Sequence, residues 1–482
     1  MQTTTVLKPR SPRRRRPGIA ARVALLCAVL LVTGCGSRLS RDEIVAQNRI
    51  DGGSQPAEST SVGAGAGGDV DAGSVLEPTA TVGDGTPAGG TDTTPSDAGG
   101  AGSSGTAGAG PSDAGSTGAA GTKTPIVIGH VGWLSGIGGL TNVARRDALA
   151  AWAKSVNARG GINGHPVKLL IGDDGGNESK SLSLVRDFVE NKHAVAIVSY
   201  SGGTATAVGN YAASRKVPII GGQTIEAIWT TNPMLFPTDP APDGHMYGVA
   251  RGAADGGKKK VATLYCTEVP ACQENNELFV KHAKALGLQV VYQGRISFAQ
   301  PGYTAECLQA RNSGADAVFG ITENSSTIRL AQSCGRQAYK PTFLLPVGND
   351  SFTQVPELDG SYASVNNFPW FLHSGSPALD EYGQALKRYA PHLLSGKNNN
   401  YGAAGWVSGK LFEKAAEGVS DDPTSAEVLD GLWRMKGETL GGLIVPCTFT
   451  RGKATPETFC NYTVQVTGGK WLAPNGTRPT CR

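Results

Sequence analysis

The chain has 482 residues and a formal net charge of +4, of which seven positive residues (Lys8, Arg10, Arg13 to Arg16 and Arg22) fall within the first 34. The rest therefore carries −3, which excludes the basic footprint of a nucleic-acid-binding protein. Some 360 residues follow a low-complexity N-terminal stretch, more than one compact domain usually holds, so two lobes are expected.

The basic start leads into the apolar run VALLCAVLLV, Val23 to Val32, and residues 1–34 read as a signal peptide. A run of about 10 residues is half the roughly 20 a spanning helix needs. Val32-Thr33-Gly34-Cys35 resembles the lipobox of bacterial lipoproteins. That resemblance implies cleavage before Cys35, lipidation of its sulfur and new amino group, and anchoring at the outer face of the cell membrane, since several acyl chains hold where one does not. An ordinary secretory peptide with a chance cysteine is the alternative. Residues 35–123 are Gly, Ala, Ser, Thr, Asp and Pro with few large apolar side chains after Ile50. Such a segment cannot offset its chain entropy and is expected to be a disordered linker, on the order of 50 Å end to end. It serves as a tether or as a spacer without a specific role.

From Pro125 the pattern alternates. The runs PIVIGHV (125 to 131), PVKLLIGD (166 to 173), AVAIVS (194 to 199) and VPII (217 to 220) read as buried strands. Between them lie amphipathic helices, with Ala148, Ala151, Trp152, Ser155 and Val156 on one face and Leu182, Val185, Phe188 and Val189 on another. After FPTDPAPDG (236 to 244) the alternation restarts with strands KKVATLYC, LQVVYQG, DAVFGI and PTFLLP, and helices near 243 to 256, 273 to 286, 303 to 312 and 325 to 334. The fold class is α/β, with two doubly wound parallel-sheet lobes.

Residues 157 to 177, NARGGINGHPVKLLIGDDGGN, raise the question of a carboxylate site. Gly160 and Gly161 fit a left-handed helix C-cap, Gly164 a turn into the strand, and Asn177 the N-cap of the next helix. Neighbouring residues on a strand point to opposite faces, so Asp173 and Asp174 diverge and read as scaffold rather than as a metal or catalytic pair.

These segments, with IGHVGWLSG, LVRDFVENKHAVAIVSYSGGTATAV, VPIIGGQT, LFPTDPAPDG and ADAVFGITENSSTIRLAQSCG, resemble the type I periplasmic binding proteins of the leucine/isoleucine/valine-binding class, the extracytoplasmic receptors of ABC importers. The resemblance implies lobes joined by three crossovers and closing over a ligand, with lobe I at 124–239 plus 348–443 and lobe II at 240–347 plus 444–482. It also implies a monomer that delivers its ligand to ABC permease subunits in the membrane. Ser201 and Gly202 open a helix after a strand, where backbone N–H groups suit a carboxylate. Gly222, Gln223 and Thr224 match positions that contact the ligand carboxylate in the family, although Ser and Thr at helix starts are also ordinary caps. Glu323 matches the position that pairs with a ligand ammonium, or is simply a helix-starting glutamate. Trp133, beside Ser135 in the loop after the first strand, is a cleft wall or a core residue. Cys266-Thr-Glu-Val-Pro-Ala-Cys272 stands where amino-acid-binding members tend to have an aromatic residue, so the side-chain end of the site is remodelled and leucine itself is not implied.

Seven cysteines remain once Cys27 and Cys35 are set aside, in an oxidising compartment. Sequence does not dictate connectivity; the expected pairs are Cys266 with Cys272, Cys307 with Cys334, and Cys447 with Cys460, leaving Cys481 over. No CxxC or HExxH motif and no histidine cluster points to a metal, GWLSGIGG lacks the phosphate-loop ending, no GxSxG elbow occurs, and no cofactor or enzymatic activity is expected. The expected function is a solute-binding receptor for a small carboxylate, such as a branched-chain amino acid or a related compound. The alternative is a ligand sensor of the same fold read by a membrane signalling partner.

Overall fold

The structure, a computed structural model, describes residues 122–482. The expected signal peptide, Cys35 and the linker as far as residue 121 lie outside the described residues. The chain begins with β1 (Ile126–Gly132), α1 (Gly136–Ala158), β2 (Val167–Asp173), α2 (Glu178–Arg186), β3 (Ala196–Tyr200), α3 (Ala205–Arg215), β4 (Ile219–Gly222) and β5 (Leu235–Phe236). These strands form one sheet, ordered β2-β1-β3-β4-β5 and parallel throughout. Every residue of the inner strand β3 is buried, as a strand covered on both faces requires, whereas β2 at the edge leaves Ile171 exposed. Gly160 and Gly161 carry φ of 98° and 80°, and the Gly161 N–H returns to Val156 O at 3.0 Å, closing α1 as the sequence suggested.

The second unit of alternation comprises α4 (Pro242–Asp255), β6 (Lys260–Cys266), α5 (Pro270–Ala285), β7 (Gln289–Ile296), α6 (Thr304–Asn312), β8 (Ala317–Ile321), α7 (Asn324–Gly335), β9 (Thr342–Leu345) and β10 (Tyr362–Val365). The helices α8 (Pro377–Tyr389), α9 (Asn400–Ala415) and α10 (Ser425–Arg434) follow. The chain ends with β11 (Lys436–Glu438), β12 (Cys447–Thr448), β13 (Cys460–Thr467), β14 (Lys470–Leu472) and β15 (Thr480–Cys481). The second sheet runs β14-β13-β10-β9-β8-β6-β7, parallel from β10 to β7, with β13 antiparallel to β10, β14 and β15.

Two of the expected lobe boundaries need correction. Segment 348–443 was expected wholly in the first lobe, yet β10 hydrogen-bonds between β9 and β13 in the second sheet. Segment 444–482 was expected in the second, yet β12 pairs with β11, and Phe449 sets its ring edge against Phe236 of β5 at 5.1 Å. The crossovers therefore run through 237–241, 366–376 and 449–459. They are tied to one another, because Asn367 Nδ2 donates to Thr238 O (3.1 Å) and Asp239 Oδ1 (2.7 Å), and Ala241 N donates to Glu457 Oε1 (2.9 Å).

Within the first lobe α9 lies across α1. A Cβ on Gly405 would sit 2.1 Å from Arg145 O, and one on Gly409 would sit 2.3 Å from the Trp152 ring, so the two glycines permit the close approach. The consequence is that Arg145, midway along α1, is fully buried.

Disulfides join Cys266 to Cys272 and Cys307 to Cys334. The expected Cys447 to Cys460 bridge is not formed. Cys460 and Cys481 face each other in the β13/β15 register and are bonded, while Cys447 is free and buried, its thiol pushed up to about 12 by burial. Among the described residues no helix is long and apolar enough to cross a membrane.

Candidate functional site

Ligands of open parallel sheets bind beyond the carboxyl ends of the strands. In the first lobe these ends carry Trp133 to Ser135 after β1, Ser201 to Gly203 after β3, Gln223 and Thr224 after β4, and Thr238 and Asp239 after β5. Backbone bonds lace the loops together: Trp133 N to Ser201 O at 3.0 Å, Ser201 N to Val131 O at 3.0 Å, and Gln223 N to Tyr200 O at 2.8 Å. The segment past β9 meets the start of α9, since Gly348 and Asp350 exchange backbone bonds with Asn398 and Asn400. Tyr401, half-buried there, bonds Gln223 and places its ring 5.0 Å under the Arg145 guanidinium.

Asp173 and Asp174 are scaffold, each for its own loop. Asp173 Oδ1 accepts from Leu134 N and Gly175 N, both at 3.0 Å. These bonds and the Ser135 hydroxyl hold its carboxyl below the usual range against partial burial. Asp174 is buried and accepts from Gly176 N (2.8 Å), Gly203 N (2.9 Å) and the Ser181 hydroxyl. A Cβ on Gly202 would lie 2.1 Å from Asp174 Oδ2, so glycine is required where this tie passes.

The helix start that suited a ligand carboxylate is largely occupied from within. Gly203 N donates to Asp174, and Ala205 N donates to Glu226 Oε1 at 2.7 Å. Two protein carboxylates thus already sit at the α3 N-terminus, one on Ala205 N of its first turn and one on Gly203 N just before it, and disfavour a third anion there. Ser201 stays distinct, being buried with an Oγ that has no partner. Thr224 donates its hydroxyl to Pro240 O at 2.8 Å and so ties the β4 loop to the first crossover. Gly222 packs under Trp229, where a Cβ would come within 2.5 Å of the ring. Trp133 is half-buried over Gly176, and Ser135 is exposed at the N-cap of α1.

Glu323, expected to pair with a ligand ammonium or simply to start a helix, stands half-buried just past β8. It caps α7, accepting from Ser325 N and Ser326 N at 2.6 Å each and from the Ser325 hydroxyl at 2.7 Å, with Arg329 Nη2 at 3.7 Å. The serine hydrogen bonds outweigh burial and hold its carboxyl below the ordinary range.

Sequence reasoning missed the buried polar cluster behind these loops. Arg145 Nη1 donates to Ser199 Oγ at 3.3 Å, while its Nε and Nη2 have no partner. Burial pulls its guanidinium below the ordinary value, opposed by the charge of Asp239. Asp239 is pushed up by burial, and Arg145, Asn367 and Thr238 oppose that rise. One signal was available in the sequence, because Arg145 falls at i−3 and i−7 from Ala148 and Trp152, on the apolar stripe of α1. His130 is also buried, Nδ1 lies 3.3 Å from Val198 O, and burial lowers its pKa to about 4. The folded value lies below the ordinary 6.5, so its contribution is complete above pH 6.5 and is lost as the pH falls towards 4. The loss is about 3 kcal/mol. Urea midpoints at pH 7 and pH 4.5 should separate more for the native chain than for His130→Asn; equal separations would contradict the assignment.

Two open grooves lie apart from these loops, one of about 400 Å3 over His373, Asp380 and Lys387 and one of about 430 Å3 over Asp350, Phe371 and Trp471. In the second, Asp350 is already engaged by Trp370 Nε1 (2.7 Å) and Asn398 N (3.1 Å). Among the described residues no group of three or more His, Cys, Asp or Glu side chains is placed to hold a metal ion.

The profile of the periplasmic binding protein family matches residues 125–470, across both sheets and all three crossovers. The chain belongs to that family. A Leu/Ile/Val-binding protein homolog 7 from Brucella abortus (strain 2308) is 23% identical over 306 residues, covering 55% of this chain and 70% of its own. An ABC-transporter solute-binding protein from R. palustris, solved in complex with benzoate, superposes with a TM-score of 0.61 at 16% identity, over 74% of this chain and 97% of its own. A fatty acid ABC transporter substrate-binding protein from Thermomonospora curvata superposes with a TM-score of 0.63 at 18% identity, over 74% and 93%. The periplasmic binding protein fold of this chain is that of a ligand-binding class that acts outside the cytoplasm, and its strand-end loops are where such a fold presents its ligand site.

Proposed function

We propose that the chain is the extracytoplasmic solute-binding receptor of an ABC importer, anchored through a lipidated Cys35. It captures a small carboxylate-bearing ligand between its lobes by closure and delivers it, as a monomer, to membrane permease subunits. The relatives support the transport context, since one is an ABC-transporter solute-binding protein solved in complex with benzoate, one a fatty acid ABC transporter substrate-binding protein, and a third a Leu/Ile/Val-binding protein homolog. Ser201 carries the reading of the site, as a buried hydroxyl without a partner at the end of an inner strand, beside the half-buried Trp133 and Gln223. Buried polar groups are normally satisfied, and at a strand end an unpaired hydroxyl can donate to an acceptor from outside the chain.

A panel of organic acids, amino acids, amides and sugars screened by thermal unfolding tests this. A ligand at 100 times its dissociation constant stabilises the native state by about 2.7 kcal/mol. Carboxylates are expected to shift the curve, and Ser201→Ala to weaken the best of them about tenfold or more, the loss of one hydrogen bond to a charged group. Stabilisation by uncharged compounds alone, or unchanged affinity in Ser201→Ala, would sink the carboxylate reading.

A further inference from the structure

We infer that the far end of the second lobe is a docking surface for a membrane bearing anionic phospholipids. The strands β6, β7, β8 and β9 begin at one level, since Lys260 stands beside Gln289, Val261 beside Ala317 and Ala317 beside Thr342. That level is opposite the strand ends where ligand is expected, and α4, α5, α6 and α7 all finish there. Six exposed cations occupy the four connections: Lys259 and Lys260 at the start of β6, Lys284 at the end of α5, Arg311 at the end of α6, and Arg336 and Lys340 between α7 and β9. Neighbouring connections touch. Arg311 Nη1 donates to Gln337 O, beyond the end of α7, at 3.0 Å, and Lys260 Nζ lies 4.0 Å from where a Cβ on Gly314 would stand in the turn before β8.

Among the described residues the ion-paired cations of this lobe are Arg251, Lys281, His282 and Arg329, and none of the six. Of the acids near them, Asp255 is balanced by Arg251, while Asp316 accepts from Lys259 N and Lys260 N and Glu357 lies against Gly335. Setting Asp316 and Glu357 against the six cations leaves a positive surplus at this end. Helix dipoles favour cations in a last turn, which accounts for Lys284 and Arg311 but not for Lys259, Lys260 and Lys340 in the connections. The far end of the first lobe differs, because its cations Lys123, Arg159 and Arg215 are paired with Asp421, with Glu381 and Glu413, and with Glu190.

Beyond residue 34 the chain is net negative, so attraction to an anionic surface is confined to this basic end and orients the molecule. Each Lys or Arg near an anionic membrane strengthens binding about fivefold, and a polybasic patch is a second signal that reinforces an acyl anchor. The choice of a lipid partner rests on the anchoring at Cys35 proposed above. The chain from that anchor enters the first lobe, where Lys123 N donates to Gly164 O at 3.1 Å, so the basic end supplies a separate point of contact. Seated on it, the receptor turns the strand-end loops of the second lobe away from the headgroups.

Co-sedimentation of the chain from Cys35 onward, produced unlipidated, with vesicles tests the inference. In 50 mM NaCl, vesicles of phosphatidylglycerol and phosphatidylcholine in equal parts are expected to bind it at least tenfold tighter than phosphatidylcholine alone, and 500 mM NaCl to remove most of that difference. The joint variant Lys259→Gln, Lys260→Gln, Lys284→Gln, Lys340→Gln is expected to lose at least tenfold, while Lys192→Gln with Lys216→Gln, on the first lobe, binds as the native chain does. Equal binding to the two vesicle types, or native binding by the fourfold variant, would overturn the inference. Retention on a soluble glycerol-phosphate polymer with none on vesicles would also overturn it and give the patch to a cell-wall polyanion. The receptor reading is judged separately, by the thermal screen, in which the fourfold variant is expected to respond to ligand as the native chain does.

Discussion

Asp174→Ala is expected to destabilise the protein by about 3 to 5 kcal/mol, the largest effect of any single carboxylate change considered. The side chain is buried and accepts from Gly176 N, Gly203 N and the Ser181 hydroxyl, so its removal breaks three bonds to a charged acceptor, only Gly203 N keeping a second partner in Ser181 Oγ at 3.2 Å. Each hydrogen bond to a charged group contributes about 1.5 to 3 kcal/mol, and partial relaxation and solvent access keep the sum below the upper limit. Asp173, its neighbour, is only partly buried, and its donors can turn to solvent, so Asp173→Ala should cost about 1 kcal/mol or less. Urea unfolding of the two variants distinguishes the roles of the two adjacent aspartates. Equal midpoints would contradict the division of labour described above.

Replacing Cys307 and Cys334 together by alanine is the second large expected effect. The bridge joins α6 to α7 across a sequence separation of 27 and lies wholly in the core. Chain-entropy arithmetic for a loop of that size gives about 3 to 4 kcal/mol, against about 2 for the short Cys266 to Cys272 loop. With about 2 cal/mol/K of unfolding entropy per residue over some 360 residues, this is a fall in melting temperature of about 4 to 5 °C. Calorimetry of the native and doubly substituted chains reads it directly. Coincident transitions would mean that the bond adds nothing to the folded state.

Much of the architecture was legible because helices and buried strands write their periods into the chain. The strands from PIVIGHV to PTFLLP and the glycine turn after α1 stand within a residue or two of where the pattern put them. β10 escaped notice because it has four residues, YASV, and follows a long loop. A strand that short carries too little periodicity to assign it to a sheet, and with it went the second crossover. The third cysteine pair depended on β15, two residues long, whose register with β13 brings Cys481 rather than Cys447 to Cys460.

The site was less legible, for a different reason. Family positions such as Glu323 and the α3 start match by residue type, but what else bonds to them is set by tertiary neighbours far away in sequence. Glu226 reaches Ala205 from 21 residues on, and Asp174 reaches Gly203 from 29 residues back. Arg145 and Arg146 are adjacent in sequence, and only the place of Arg145 on the apolar stripe of α1 marks it as the buried one.

The central claim is that this chain captures its ligand by bringing two lobes together. Small-angle X-ray scattering of the native chain, without ligand and then saturated with the tightest carboxylate from the thermal screen, tests it most directly. The account predicts a smaller radius of gyration and a shorter maximum dimension with ligand present, and a smaller response in Ser201→Ala at the same ligand concentration. Identical scattering curves at verified saturation would contradict capture by closure.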